Sequence, residues 1–339
     1  MDAWVESGLN LVLRAQAIGP WLQVPMKFFT SLGIEPFYML VMPALVWCYD
    51  AGLGLRIGFA LIGSTSLNAV LKLAFQLPRP YWVSADVHAY SVETSFGLPS
   101  GHAQNAVAVW GRLAAALDSI WAKVAAATLI LLISFSRLYL GVHFPLDIVA
   151  GWLVGAAVLF GFLWLEEPVW RRLRAWSLGW QVVFVFLTSI ALALLGVLAL
   201  QSHAGVELPA AWRQAISAYQ PGEVLVDPRG LDGIITAVGT LFGFAVGGIL
   251  LVRWGDFNAK GPWRQRAGRY VTGAVGVALL LFGLDLLTFS AGSVADLIWR
   301  YLRYAVVGLW ISYLGPRLFD QLGLLPGKPE TASTVSASD

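Results

Sequence analysis

Gly179-Trp-Gln-Val-Val-Phe-Val-Phe-Leu-Thr-Ser-Ile-Ala-Leu-Ala-Leu-Leu-Gly-Val-Leu-Ala-Leu200 carries no charged side chain. At ~1.5 Å of rise per residue, a helix of this length crosses the ~30 Å of hydrocarbon in a bilayer. Comparable apolar runs lie at 35–52, 55–76, 100–117, 121–140, 144–165, 231–252, 267–289 and 294–315. The composition agrees: hydrophobic residues make up 58% of the chain, charged residues 12%, and the mean hydropathy is +0.70. A soluble domain carries about a quarter charged residues. The expected architecture is therefore all-α: a polytopic transmembrane bundle of about nine spans. Residues 1–32 mix Trp4, Leu9, Val12, Trp21 and Leu22 with Glu6, Arg14 and Lys27, the pattern of a helical segment lying at the membrane interface. Residues 33–165 form a core, 166–325 add C-terminal spans, and 326–339 read as a polar, disordered tail.

A net charge of +2 gives no reason to expect a nucleic-acid partner. The single cysteine, Cys48, excludes a disulfide framework. The first residues lack a basic n-region and a small-residue cleavage site, so no cleaved signal peptide is expected. Basic residues set the orientation. Lys123, the Arg171–Arg174 cluster and the Arg253–Arg269 loop share one side, which the positive-inside rule assigns to the cytoplasm. The N-terminus is then outside, the C-terminus inside. Gly151 and Gly155, and Gly239, Gly243 and Gly247, recur every four residues, as expected where helix backbones touch.

Three clusters are out of place in lipid-facing helices. Lys72 and Arg79-Pro80 close the second span. They read either as cations snorkelling toward headgroups or as anion ligands. Pro99-Ser100-Gly101-His102 precedes the third span: Ser100 is a candidate N-cap, and the amides after it form an anion site at the positive end of a helix dipole. Gly101 permits close approach, and His102 titrates near neutrality. Ser136-Arg137 closes the fourth span, and His143 stands at the entrance of the fifth, where Pro145 suits the first helical position. Asp147, one turn in, is placed to orient His143 and leave its other nitrogen free, which suits a nucleophile. The charge-derived topology brings Lys72, Arg79, Ser100, His102, Arg137, His143 and Asp147 to one membrane face. A phosphoryl group would compensate that density of positive charge.

These three clusters resemble, in order and spacing, the signature motifs of the type 2 phosphatidic acid phosphatase (PAP2) superfamily. The motifs cover 72–147, and with their flanking spans about half of the chain. The resemblance implies catalysis without metal or cofactor through a phosphohistidine. His143 would attack phosphorus, Asp147 orient it and His102 protonate the leaving alkoxide; Lys72, Arg79, Ser100, Gly101 and Arg137 would hold the phosphoryl oxygens. The substrate would be a membrane lipid phosphate. The implied setting is a bacterial cytoplasmic membrane with the site on its extracytoplasmic face. The extra C-terminal spans are similar in layout to the sphingosine-1-phosphate phosphatase and glucose-6-phosphatase branches, although Gly101 stands where the former usually has Thr. A lipid phosphotransferase using a polyprenyl diphosphate, a phosphatase of a soluble sugar phosphate and a non-catalytic lipid transporter remain as alternatives.

Arg300 and Arg303, with Asp285 and Asp296 nearby, read either as an ion-paired structural cluster or as headgroup contacts. Tyr81, Trp82 and Tyr90 read as interfacial anchors, with a lid over the site as the alternative.

Overall fold

The computed structural model describes residues 3–219, 227–287 and 289–326, and all regular structure in them is helical. The tail expected to be disordered lies outside the described residues, apart from Pro326. The chain runs through α1 (Ala3–Gln16), α2 (Gln23–Ser31), α3 (Glu35–Ala44), α4 (Ala51–Phe75), α5 (Pro80–Val83), α6 (Gly101–Ala116) and α7 (Ile120–Tyr139). It continues through α8 (Pro145–Arg174), α9 (Leu178–Gln201), α10 (Ala210–Tyr219), α11 (Asp232–Trp254), α12 (Trp263–Leu284), α13 (Val294–Leu309) and α14 (Gly315–Gln321).

Local chemistry explains where these helices start and stop. The Asp50 carboxylate caps α4 by accepting from the Leu53 amide at 2.7 Å. Ser119 caps α7 and Ser293 caps α13 in the same way. Pro145 opens α8, as its fixed φ and missing N–H allow. The α4 helix ends when Gln76 adopts a left-handed conformation, φ 48°, and its amide bonds back to Lys72 O.

Among the described residues, six helices are long and apolar enough to cross a membrane: α4, α7, α8, α9, α11 and α12. The segments Pro20–Ser31 and Glu35–Tyr49, bent by 47°, would make a seventh as one broken span or re-entrant loop. Fewer helices meet this measure than the nine spans expected. The expected third and ninth spans, α6 and α13, have 16 residues each, or ~24 Å of helix. Hydropathy registers the apolar run but not the break that ends the helix. In α13 the path continues through a π-type turn at Trp310–Leu314 into α14.

Residues 1–32 also pack on the bundle through one face. Val5, Leu9 and Val12 of α1 are buried in a cluster with Tyr139, Leu140 and Phe144, while α2 packs on α7. Gln16 Nε2 donates to His88 O and Tyr139 O, at 2.7 and 3.0 Å, which pins α1 to the turn before His143. Tyr81 and Trp82 are buried in the same cluster, with Tyr90 packed against it. They pack into this end of the bundle, and the neighbours of Trp82 include Trp212 of α10.

The expected glycine contacts are present. A Cβ on Gly151 or Gly155 would strike the Ser100 or Gln104 carbonyl of α6, and one on Gly239 or Gly243 the Tyr301 or Ala305 carbonyl of α13. At the end of the bundle opposite His143, Glu166 binds Arg56 at 2.7 Å and Arg112 at 3.0 Å, which ties α4, α6 and α8 together.

Candidate active site

Each motif sits where a helix begins or ends, because only there are backbone donors and long polar side chains free of the helix's own hydrogen bonds. Lys72 is in the last turn of α4, Arg79 immediately before α5, Ser100 immediately before α6, Arg137 in the last turn of α7, and Asp147 in the first turn of α8. His143 occupies the turn between α7 and α8.

His143 is 1% exposed and is held from both sides. Its Nδ1 lies 3.2 Å from Asp147 Oδ2, an oxygen that also accepts from the Phe144 amide at 2.9 Å. Its Nε2 lies 3.3 Å from Arg79 Nη1. A guanidinium nitrogen only donates, so Nε2 accepts and the ring proton resides on Nδ1, toward Asp147. Burial, then the charges of Arg79, Arg137 and Lys72, push the His143 imidazole well below the usual histidine value. The neutral, nucleophilic form is thereby favoured.

The cations of the first motif donate to the loop before α6. Lys72 Nζ donates to Ser95 Oγ at 2.9 Å and Phe96 O at 2.8 Å. Arg79 is completely buried and donates to Ser95 O, Phe96 O and Val142 O at 2.6, 3.0 and 2.9 Å. Arg137, 1% exposed, donates through Nη1 to Thr30 Oγ1 and pairs through Nη2 with Glu93.

Several buried polar atoms have no protein partner among the described residues: Ser100 Oγ, His102 Nε2, Arg137 Nε and Asp147 Oδ1. Ser100 occupies the N-cap position of α6, yet its hydroxyl makes no capping bond. Its amide donates to Asp147 O at 2.9 Å and so couples the second motif to the third. Buried polar atoms are ordinarily satisfied, and orphans clustered on the second and third motifs mark a place for a polar ligand.

The expected residues therefore assemble, with two exceptions. Arg300 pairs with Asp232 at 3.2 Å and Arg303 with Asp285, the structural reading of that cluster. Other residues that shape the site were not expected. Glu93 and Ser95 come from the loop before α6, and Thr30 from α2; a Cβ on Gly33, just after α2, would meet the His102 ring at 2.8 Å. The N-terminal helices thus form one wall of the site. A polar ladder also aligns α6 on α4: Asn68 Nδ2 donates to Gln104 Oε1 and Pro99 O, and Gln104 Nε2 donates to Ser64 O. For Glu93, burial opposes ionisation, but Arg137 and then Arg79 outweigh it and hold the carboxyl far below the usual carboxylate range.

The sequence model of the PAP2 superfamily matches residues 53–171, and that of the PAP2 superfamily phosphatase transmembrane extension matches 235–329. The chain belongs to the PAP2 superfamily. This PAP2 chain is an integral membrane protein, and α11 to α14 are its transmembrane extension. It is 31% identical over 180 residues to a dihydrosphingosine 1-phosphate phosphatase of Saccharomyces cerevisiae, covering 50% of this chain and 44% of the yeast protein. It is 28% identical over 223 residues to glucose-6-phosphatase 3 of Bos taurus, covering 57% of this chain and 60% of that one. The chain thus spans about half the length of these relatives. A crystal structure of a transmembrane PAP2-type phosphatidylglycerolphosphate phosphatase from Bacillus subtilis is 26% identical, with a TM-score of 0.43, over 50% of this chain and 89% of that one.

Proposed function

We propose that this PAP2 protein is a metal-independent phosphatase that hydrolyses a lipid phosphate ester through a phosphohistidine on His143. The observation that carries the reading is the His143 ring itself, with Asp147 behind Nδ1 and Arg79 in front of Nε2. In the first step the Nε2 lone pair forms a bond to phosphorus as the ester P–O bond breaks. Asp147 stabilises the imidazolium, and His102 delivers a proton to the departing alkoxide. In the second step water attacks phosphorus, His102 takes its proton, and the N–P bond breaks to release phosphate. Lys72, Arg79 and Arg137, with the Ser100 hydroxyl and Gly101 amide, hold the phosphoryl oxygens as charge shifts onto them.

In this reading residues 33–165 are the catalytic core and 166–325 a support, and α6 and α13 complete nine crossings. The N-terminus is outside, the C-terminus in the cytoplasm, and the site on the extracytoplasmic face of a bacterial cytoplasmic membrane. Loop charges support that orientation. Lipid phosphates are favoured as substrates because the site lies at the ends of apolar helices, where an amphiphile presents its headgroup. The bovine relative, a glucose-6-phosphatase, supports a soluble sugar phosphate as a second reading. Detergent-purified protein is expected to release phosphate from phosphatidic acid with EDTA present, and His143→Ala to abolish the release. Undiminished activity in that variant would sink the mechanism, and preference for a sugar phosphate in the same assay would select the second reading.

A further inference from the structure

The loop between α5 and α6 places one short segment, Glu93 to Phe96, against all three cations assigned to phosphate. Lys72 and Arg79 both donate to Ser95 Oγ and Phe96 O, Arg79 also donates to Ser95 O, and Arg137 pairs with the Glu93 carboxylate. A carboxylate, a hydroxyl and two carbonyls thus meet the donors that a tetrahedral anion would use. We propose that Glu93 is a built-in competitor of the substrate phosphate: its carboxylate occupies Arg137 in the resting site and must withdraw for a phosphate dianion to bind, so Glu93 sets the anion affinity of the pocket. This rests on the reading of the pocket as a phosphoryl site.

Charge balance points the same way. Counted as formal charges, three cations face two carboxylates, Glu93 and Asp147, a surplus of one positive charge. A dianionic monoester overshoots that charge if both carboxylates stay, and matches it if one withdraws. Asp147 is not free to go: it is fully buried and holds both the Phe144 amide and the His143 ring. Glu93 is the partner with access to solvent. Its side chain is 26% exposed, whereas that of Arg137 is 1% exposed. Its backbone meanwhile stays fixed, because Tyr81 Oη donates to Glu93 O at 3.1 Å and the Glu93 amide lies 3.3 Å from the same hydroxyl. The side chain can therefore swing toward solvent without disturbing the Ser95 and Phe96 contacts.

The test compares inorganic phosphate binding by calorimetry, and orthovanadate inhibition of phosphatidic acid hydrolysis, in the detergent-purified full chain and Glu93→Gln. The substitution keeps shape and removes charge. Both constants are expected to fall about tenfold, equivalent to ~1.4 kcal/mol. Glu93→Asp, which keeps the charge on a shorter arm, is expected to lie between wild type and Glu93→Gln. Unchanged or weaker phosphate binding in Glu93→Gln overturns the proposal, since a residue that merely positions Arg137 would lower affinity when replaced. Should Glu93→Gln not fold, weaker binding in Glu93→Asp overturns it alone. The calorimetric arm needs no turnover. Wild-type protein that binds phosphate but hydrolyses no ester would therefore count against the phosphatase reading and leave the Glu93 comparison decisive.

Discussion

At His143 the two ring nitrogens have different jobs, and the neighbours on each side say which. Asp147 is an acceptor and fixes the proton on Nδ1; Arg79 is a donor and leaves the lone pair on Nε2, the atom proposed to attack phosphorus. Asp147→Asn removes the charge that stabilises the imidazolium and is expected to lower kcat by roughly 10²- to 10⁴-fold. Vanadate affinity should change far less, and a parallel loss of binding would show that Asp147 acts on the pocket's shape instead. The depressed His143 pKa has a definite sign: the imidazole stays neutral as pH falls below its ordinary value of 6.5. The acid limb of kcat/KM attributable to this residue is therefore expected below that value, read from a pH–rate profile. Residue types at this scale were well marked in the sequence. His143, Asp147 and Pro145 lie within about one turn of each other, and local spacing alone carries the inference. Glu93 and Thr30 could not be found that way, since they meet Arg137 from 44 and 107 residues away.

Among elements, the decisive contact is α8 against α6, since it sets the distance between the second and third motifs. Gly151 and Gly155 bring the backbones together, and a Cβ on Gly155 would lie 2.5 Å from Gln104 O. Gly155→Val is expected to cost about 1–3 kcal/mol through overpacking, seen as a lower melting temperature in detergent, with activity falling before the fold is lost. Gly33→Val adds a side chain against the ring of His102, the proposed general acid. It is expected to reduce kcat more than it reduces stability, and equal losses would argue that the loop after α2 only braces the fold. The small-residue repeats were legible because membrane helices can approach closely only over such surfaces. The end of α13 was not: the apolar run read as 294–315 gives way after Leu309 to a π-type turn over Trp310–Leu314. The burial of α1 was hidden for a related reason: an amphipathic helix presents the same pattern to a lipid surface and to a neighbouring protein surface.

For the whole molecule, the charge asymmetry of the loops predicts where each end resides. In a Cys48→Ser background, a cysteine at Gly205 is expected to react with a membrane-impermeant maleimide in intact cells, and one at Ser336 only after the membrane is opened. The reverse pattern would place the site toward the cytoplasm. The C-terminal extension reaches back into the first part of the chain. Trp47, just after α3, is fully buried and donates to Ile311 O at 2.7 Å, a contact spanning 264 residues. Its ring lies against Gly273 of α12 and Phe319 of α14. The segment that carries Thr30 and Gly33 to the site is thus continuous with one whose seat is supplied by helices that follow the three motifs in the chain. During biogenesis all three motifs leave the ribosome well before that seat exists. A nascent chain halted after α8 would hold every residue of the three motifs yet lack the anchor for the wall around them, so competence should arrive only once α12 to α14 have been made.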